Sequence, residues 1–503
     1  MRRAALSFVF LLAPIVFADA PSTVNNDDSC DIGLYPAATL LLPYFEVETA
    51  KRGTDTLFTI TNVGHLPQIA HVTIWTDWGF PVLTFPIFLT GYDVQSISLY
   101  DVIVNGIIAP GSSPGTSSLI NLGSQSASNS ANPNITTQDC GALAGVIAPT
   151  TRAAMQRALV MGIDNAPGFS GCGTVRVGSD ASTHLTANMA DGYVTIDVVS
   201  RCSSTSPANP EYFTNEILFD NVLTGDFMTI RKEGIPYSSA NPLVHIRAVP
   251  EGGPAGMTPL PNTAATPLPY TFYGRYINGQ TISNFPITPH LDRRQPLGST
   301  FAARWANDGS VPFGTNFKIW REGVAGSPSC QSVLPNSALH VKEFVRFDEH
   351  ENPTVILKCT TICVGPIQDT LPSTSSMSTT NTSLFPPTLT TPGDRAGWMF
   401  LNLDSGVSEQ TINRLAHPDF PQLRASQNWV VVSMMSGPAA TLAAEFDATS
   451  LGNGCSPPAA ISVANKGTAT IGPAGGVLVC PLGFTIGISQ ACTPAYTGTN
   501  ANP

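Results

Sequence analysis

The sequence predicts an all-β protein: two immunoglobulin-like antiparallel β-sandwich blocks with long polar loops, and one short helix in the first block. Three observations lead there. Apolar and polar residues alternate with period two over Thr56–Asn62 and His71–Thr76, the pattern of strands with one buried face. The apolar runs are short and punctuated by Gly and Pro, 43 of each. No long helical periodicity lies between them, which favours antiparallel sheets over βαβ units.

In chain order, residues 34–105 read as strands. Val82–Leu89 and Val94–Val104 continue the alternation, and Asn105-Gly106 signals a turn. Residues 111–137, rich in Ser, Asn, Gly and Thr, read as a long loop. Pro149–Met161 reads as the helix. Ala153, Ala154, Met155, Gln156, Arg157, Ala158 and Leu159 favour it, with Thr150 or Thr151 as cap. Tyr193–Val199 and Pro242–Val249 return to strand. The second block is read from Thr300–Trp305, Phe317–Trp320, Val341–Phe347, Thr354–Cys359, Trp398–Leu403 and Trp429–Met434. Its Ser/Thr/Pro tract, residues 369–392, is expected to stay exposed.

The expected division is a signal peptide at 1–20, a first block at 21–249 and a Pro/Gly-rich connector at 250–269. A second block at 270–452 and a Cys-containing, small-residue tail at 453–503 complete it. Residues 62–77 and 307–322 share Asn, Gly, Pro, Ile and Trp at a constant offset of 245. Two readings stand: an internal duplication, or a strand–turn–strand with a buried Trp that recurs without ancestry.

Arg2 and Arg3 precede an apolar run, Ala4–Phe17, and Ala18-Asp19-Ala20 offers small residues to a signal peptidase. Export is expected, to a secreted or extracellular location (periplasm or outer surface in a Gram-negative cell). The ten cysteines all follow: Cys30, Cys140, Cys172, Cys202, Cys330, Cys359, Cys363, Cys455, Cys480 and Cys492. An even number in an exported chain predicts disulfides, and proximity suggests Cys172–Cys202 and Cys480–Cys492. Cys359 and Cys363 have three residues between them and no companion pair, which argues against structural zinc. No transmembrane segment, lipid anchor or sorting tail is expected.

Net charge is −11, and the densest basic spot is Arg293-Arg294, so a counterion-release footprint for nucleic acid is lacking. A polybasic membrane site is lacking too. Charged residues are only 12% of the chain, so the surface is wetted by hydroxyls and amides.

Catalytic patterns lack their context. Gly111-Ser112-Ser113-Pro114-Gly115 has the letters of a nucleophile elbow but no strand–helix setting, and Gly168–Gly173 has no histidine motif to serve it. Asp348-Glu349-His350-Glu351 reads as a solvated turn rather than a metal site. Asn25–Asp28 with Asp31 lacks an ordered calcium loop, and His65 and His71 flank a turn. No cofactor, metal or catalytic residue is assigned, and the sequence leans away from an enzyme. Trp75-Thr-Asp-Trp78, Phe80, Tyr92 and Tyr100 offer a binding reading. Trp75 and Trp78 face opposite sides if the strand runs that far, and Trp78 and Tyr92 are the candidate ligand contacts.

Leu-Leu-Pro-Tyr-Phe-Glu-Val at 41–47, His71–Gly79 and Leu89-Thr-Gly-Tyr-Asp93 together resemble a group of uncharacterised exported bacterial β-rich proteins. The resemblance covers chiefly the first block and transfers no functional residue. The function expected is an exported structural or interaction protein of the cell surface or matrix, with protein, glycan or self partners, acting through β-strand edges. The alternatives are a carbohydrate-binding or carbohydrate-active secreted protein and an exported hydrolase with a dispersed site.

Overall fold

The structure is a computed structural model. It describes residues 32–77, 79–108, 132, 134–135, 145–161, 163–164, 175–176, 188–232, 237–248, 272–273, 292–306, 314–321, 343–351, 353–358, 374–378, 396–403, 427–435, 443–451, 469–471, 477–479, 484–486 and 492–494. The expected signal peptide, the expected connector and most of residues 111–137 lie outside these residues.

The protein is mostly antiparallel sheet. The strands of the first half are β1 (Thr39–Glu48), β2 (Thr54–Asn62), β3 (Gln68–Thr76), β4 (Pro81–Leu89), β5 (Val94–Ser98), β6 (Ile163–Asp164), β7 (Val175–Arg176), β8 (Met189–Val199), β9 (Leu223–Thr224), β10 (Asp226–Arg231), β11 (Tyr237–Pro242) and β12 (Val244–Ile246). Those of the second half are β13 (Thr300–Ala306), β14 (Gly314–Arg321), β15 (Glu343–Phe347), β16 (Pro353–Lys358), β17 (Thr374–Ser378), β18 (Ala396–Asn402), β19 (Asn428–Met435), β20 (Ala443–Asp447) and β21 (Thr449–Ser450). Two short hairpins follow, from β22 (Ala469–Ile471) with β23 (Val477–Val479), and β24 (Phe484–Ile486) with β25 (Cys492–Pro494). Helices α1 (Pro149–Met161) and α2 (Pro210–Asn215) and a π-helical turn at Asp101–Asn105 complete the described elements.

Four larger sheets dominate. Sheet one has the order β12-β1-β8-β3-β4, and sheet two β11-β10-β2-β5, with β9 also on β2. Sheet three has the order β16-β15-β18-β13-β21, and sheet four β17-β14-β19-β20. The architecture is β-sandwich-like in each half. No helix among the described residues is long and apolar enough to cross a membrane.

Sheet one explains itself from its registers. Leu40, Ile196 and Val72 form one row across β1, β8 and β3, and Leu42, Val194 and Ile74 form the next. This face joins Phe58, Ile60, Ile97 and Phe227 of sheet two in the core. A strict alternation would then send Phe45 and Val47 to the opposite face. A bulge between Leu42 and Phe45 absorbs one residue, so Phe45 and Val47 stand opposite Gly192 and Ala190, in line with Val194. Pro43, which has no N–H for the ladder, sits inside that irregularity. Gly192 is required by close approach: a Cβ there would meet the Trp75 carbonyl oxygen at 2.1 Å.

The structure differs from the sequence reading in several places. The run at Val94–Val104 stops at Ser98 and gives way to the π-helical turn, ended by Gly106 with φ of 73°. Asp55 ends the strand pattern there by accepting from the Tyr100 amide and the Ser98 hydroxyl. Thr150 and Thr151 lie inside α1, which starts at Pro149, a residue suited to a first helical position. Within the tract at 369–392, Thr374–Ser378 is a strand bonded to β14. An edge strand needs backbone pairing, not apolar alternation, so composition did not reveal it. The two strands of residues 62–77 do not form a hairpin: β2 and β3 lie in different sheets, as do β13 and β14. Phe272, Tyr273 and residues 292–297 touch both halves: Tyr273 and Arg294 bond to sheet one and its surroundings, while Phe272 and Leu297 bond Gln427 of the second half.

Candidate functional site

The second face of sheet one is polar yet buried. Thr39, Asp197 and His71 form one row, Leu41, Thr195 and Thr73 the next, followed by Tyr193 beside Trp75. In an ordinary sandwich such a face meets water. Here α2, Phe272, Tyr273, residues 292–297 and Trp320 of β14 cover it.

Arg294, with no exposed side-chain surface, is the centre of the cover. Its Nε donates to the Thr39 hydroxyl, which in turn donates to Asp197 Oδ1. Its guanidinium lies 3.5 Å from Asp197 and 3.1 Å from Asp292. Nη2 also donates to the carbonyls of Leu218 at 2.9 Å and Ala38 at 3.3 Å. Tyr212 and Tyr273 both donate to Asp197 Oδ2, at 2.6 and 2.7 Å. Helix α2 delivers Tyr212: Asn209 caps it by accepting from the Glu211 amide, and Pro210 opens its first turn.

The charges follow from this geometry. Burial opposes the Arg294 charge, but Asp197 and Asp292 outweigh it and raise its pKa. Burial pushes the Asp292 carboxyl up, against the pull of Arg294. Burial and then the Asp197 carboxylate hold both tyrosines well above their usual range, so they stay neutral donors. His71, packed 5.2 Å from the Tyr212 ring, is lowered by burial to about 4, and the nearby Thr205 backbone offsets this only in part. Neither of its ring nitrogens has a partner within hydrogen-bond geometry.

An aromatic chain runs from this cluster to the second half. Tyr273 meets Phe272, Phe272 stacks on Trp320, Trp320 meets Tyr193 edge-on, and Tyr193 stacks on Trp75 at 5.6 Å. The Trp75 indole donates to Thr195 at 2.8 Å.

A second polar cluster lies where β11 meets β20. Lys318 Nζ is 2.7 Å from Glu445 and 5.5 Å from the centre of the Tyr44 ring. Ser239 donates to Glu445 at 2.6 Å, while Asn241 and Trp429 donate to Asp447 at 2.8 and 2.9 Å. Glu46 takes bonds from Tyr44 and Arg231. Burial alone would raise Glu46, but Lys318 and Arg231 lower it. Asp447 is raised to about 6, by burial and by Glu445, against its two donors.

The sequence-selected residues are scattered. Trp78 lies outside the described residues. Tyr92 is 72% exposed on the turn between β4 and β5, with φ of 56°. Trp75 is fully buried. Asp348–Glu351 is the turn between β15 and β16, and His65 is exposed while His71 is buried. Among the described residues no group of three or more His, Cys, Asp or Glu side chains could hold a metal ion. Cys202 is buried at the end of β8. Of Cys492 only the strand backbone is described, and the other eight cysteines and both serine motifs lie outside the described residues. Arg293-Arg294, the densest basic spot, is not a surface patch but buried. Sequence reading missed Asp197, Asp292 and Tyr273 as partners, because nothing local marks residues brought together from positions so far apart.

No protein-family model, curated protein or solved structure matches the chain.

Proposed function

We propose that the chain is an exported structural or interaction protein of the cell surface or extracellular matrix, built from immunoglobulin-like sandwiches and assembling through β-strand edges. The observation that supports it best is how the polar groups are used. Both clusters join sheets: buried Arg294 is ion-paired to Asp197 and Asp292, and buried Lys318 to Glu445. The edge strand β5 fits the assembly part: Val94 is 57% exposed beside the exposed Tyr92 and Val63. An open edge with an exposed valine can take another strand, here with Asp93 as its flanking charge. Export and a disulfide framework belong to the same proposal and rest on the sequence.

Sedimentation velocity across a concentration series tests it. Association that rises with concentration and falls in Val94→Lys is expected. A protein that stays monomeric at high concentration and binds neither cells nor matrix overturns it. Tyr92 supports a second reading, a glycan contact: its ring is presented rigidly by a positive-φ turn. A glycan array with Tyr92→Ala as control separates the two.

A further inference from the structure

Strands β11 and β20 are the edges of different sheets, yet they run side by side. Ser239 meets Glu445 and Asn241 meets Asp447, two residues on along each strand, so the strands point the same way. Side chains, not a backbone ladder, make this join. Each strand therefore hides the other's edge.

The join also holds more carboxyls than cations. On β20 stand Glu445 and Asp447. From β1 comes Glu46. Opposing them are Lys318 on β14 and Arg231 on β10. The other groups facing Asp447 are neutral: Trp429 on β19 and Asn241 on β11. Among the described residues, three carboxyls stand against two cations, in a place where Lys318 and Glu445 are nearly sealed from water, and this favours uptake of a proton.

We propose that the β11–β20 seam is a proton-operated latch, closed tighter in mild acid and loosened at neutral and higher pH, where it uncovers two strand edges for pairing. This rests on the strand-edge reading above and adds its regulation. Asp447 is the group that takes the proton. Its folded pKa, about 6, lies above its ordinary 3.8, so its contribution is full below 3.8 and is lost as pH rises through 6. Protonated, it no longer repels Glu445 and still accepts from Trp429 and Asn241. Glu46 sets the lower bound. Its pKa is lowered, so its attraction to Lys318 and Arg231 is lost only on stronger acidification.

Hydrogen exchange on the full chain tests the latch. Protection factors for 237–242 and 443–447, corrected for intrinsic rates, are expected to be roughly tenfold higher at pH 5 than at pH 7.5. In Asp447→Asn the difference disappears and protection at pH 7.5 rises to the acid value. Unchanged protection in the natural protein between the two pH values overturns the latch, whatever the variant does. So does a pH difference that survives in Asp447→Asn. Light scattering on the same samples reads assembly separately. A pH-dependent seam in a protein that never associates keeps the latch and overturns the strand-edge reading. Association with a pH-blind seam does the reverse.

Discussion

The Arg294 cluster and the β11–β20 seam are both polar, both buried between sheets, and opposite in design. Around Arg294 one guanidinium serves two carboxyls, a threonine and two carbonyls, while two neutral tyrosines finish Asp197. The partners come from five stretches of chain: the start of β1, α2, the segment after it, β8, and the pair Tyr273 and Asp292. At the seam the contacts are sparser, Asp447 retains some contact with water, and carboxyls outnumber cations. A buried ion cluster that is fully hydrogen-bonded fixes one arrangement; one with surplus charge leaves an arrangement that pH can bias.

The largest break in that contrast is Arg294→Met. It strands Asp197 and Asp292 in a dry site, and removing one partner of such a cluster typically costs about 3–5 kcal/mol. Urea unfolding of Arg294→Met is expected to show that loss or outright failure to fold, whereas Lys318→Met costs less because it removes the ion pair to Glu445 where Arg294→Met removes those to both Asp197 and Asp292. Equal losses in the two variants would erase the distinction.

Acid separates the regions next. His71 packs against Tyr212 with its folded pKa near 4, below its ordinary 6.5. A group lowered in this way contributes stability above 6.5 that is lost as pH falls toward 4. Its full loss is at most about 3 kcal/mol. Between pH 6.5 and 4 the Arg294 face therefore weakens while the seam tightens. Global unfolding followed from pH 7 to 4.5 should show a stability loss that His71→Gln reduces. If His71→Gln and the natural protein fall in parallel, the face is not what titrates.

How much of this could be read from the sequence follows from what each feature depends on. Period-two runs placed β2, β3 and β4, short apolar runs placed β8, β13, β14, β18 and β19, and composition placed α1 at Pro149–Met161, because those signals are local. Strands β11, β17 and β20 escaped. Tyr-Ser-Ser-Ala-Asn-Pro, Thr-Ser-Ser-Met-Ser and Ala-Ala-Glu-Phe-Asp carry no apolar stripe, and their pairing is supplied by neighbours. Both polar clusters were illegible for the same reason. Arg294 looked like a basic surface spot, and only the register Thr39–Asp197–His71 reveals a polar face in need of a cover. The repeated Asn–Gly–Pro–Ile–Trp pattern was legible, but it marks a crossing between sheets, not a hairpin. Trp75 and Trp320 end on the same aromatic chain, each joined to Tyr193.

At the seam itself, Asp447→Asn removes one surplus charge and keeps an acceptor for Trp429 and Asn241. It is expected to stabilise the protein at pH 7.5 by about 1 kcal/mol and to do little at pH 4.5. This figure is well below the full pKa difference, because Asp447 is partly hydrated. A destabilising effect at pH 7.5 would mean that the ionised carboxylate is needed there, and the seam would then resemble the Arg294 cluster.

The smallest change is the most discriminating. Trp429→Phe keeps an aromatic ring in the seam but removes one of the two donors to Asp447. Those donors favour the ionised form, so losing one moves the carboxyl further up from about 6, by roughly half a unit to one unit. The latch should then tighten at a higher pH than in the natural protein, while Asp447→Asn has no titration left to move. Asn241→Ala removes the other donor and should shift the midpoint the same way, but it also cuts the only Asp447 bond that crosses from β20 to β11 among the described contacts. Protection of 443–447 should therefore fall at every pH in Asn241→Ala and only shift its midpoint in Trp429→Phe. A Trp429→Phe midpoint that stays put would show that burial and Glu445 alone set the Asp447 proton, and that the indole serves packing against Phe301, whose ring lies 6.3 Å away.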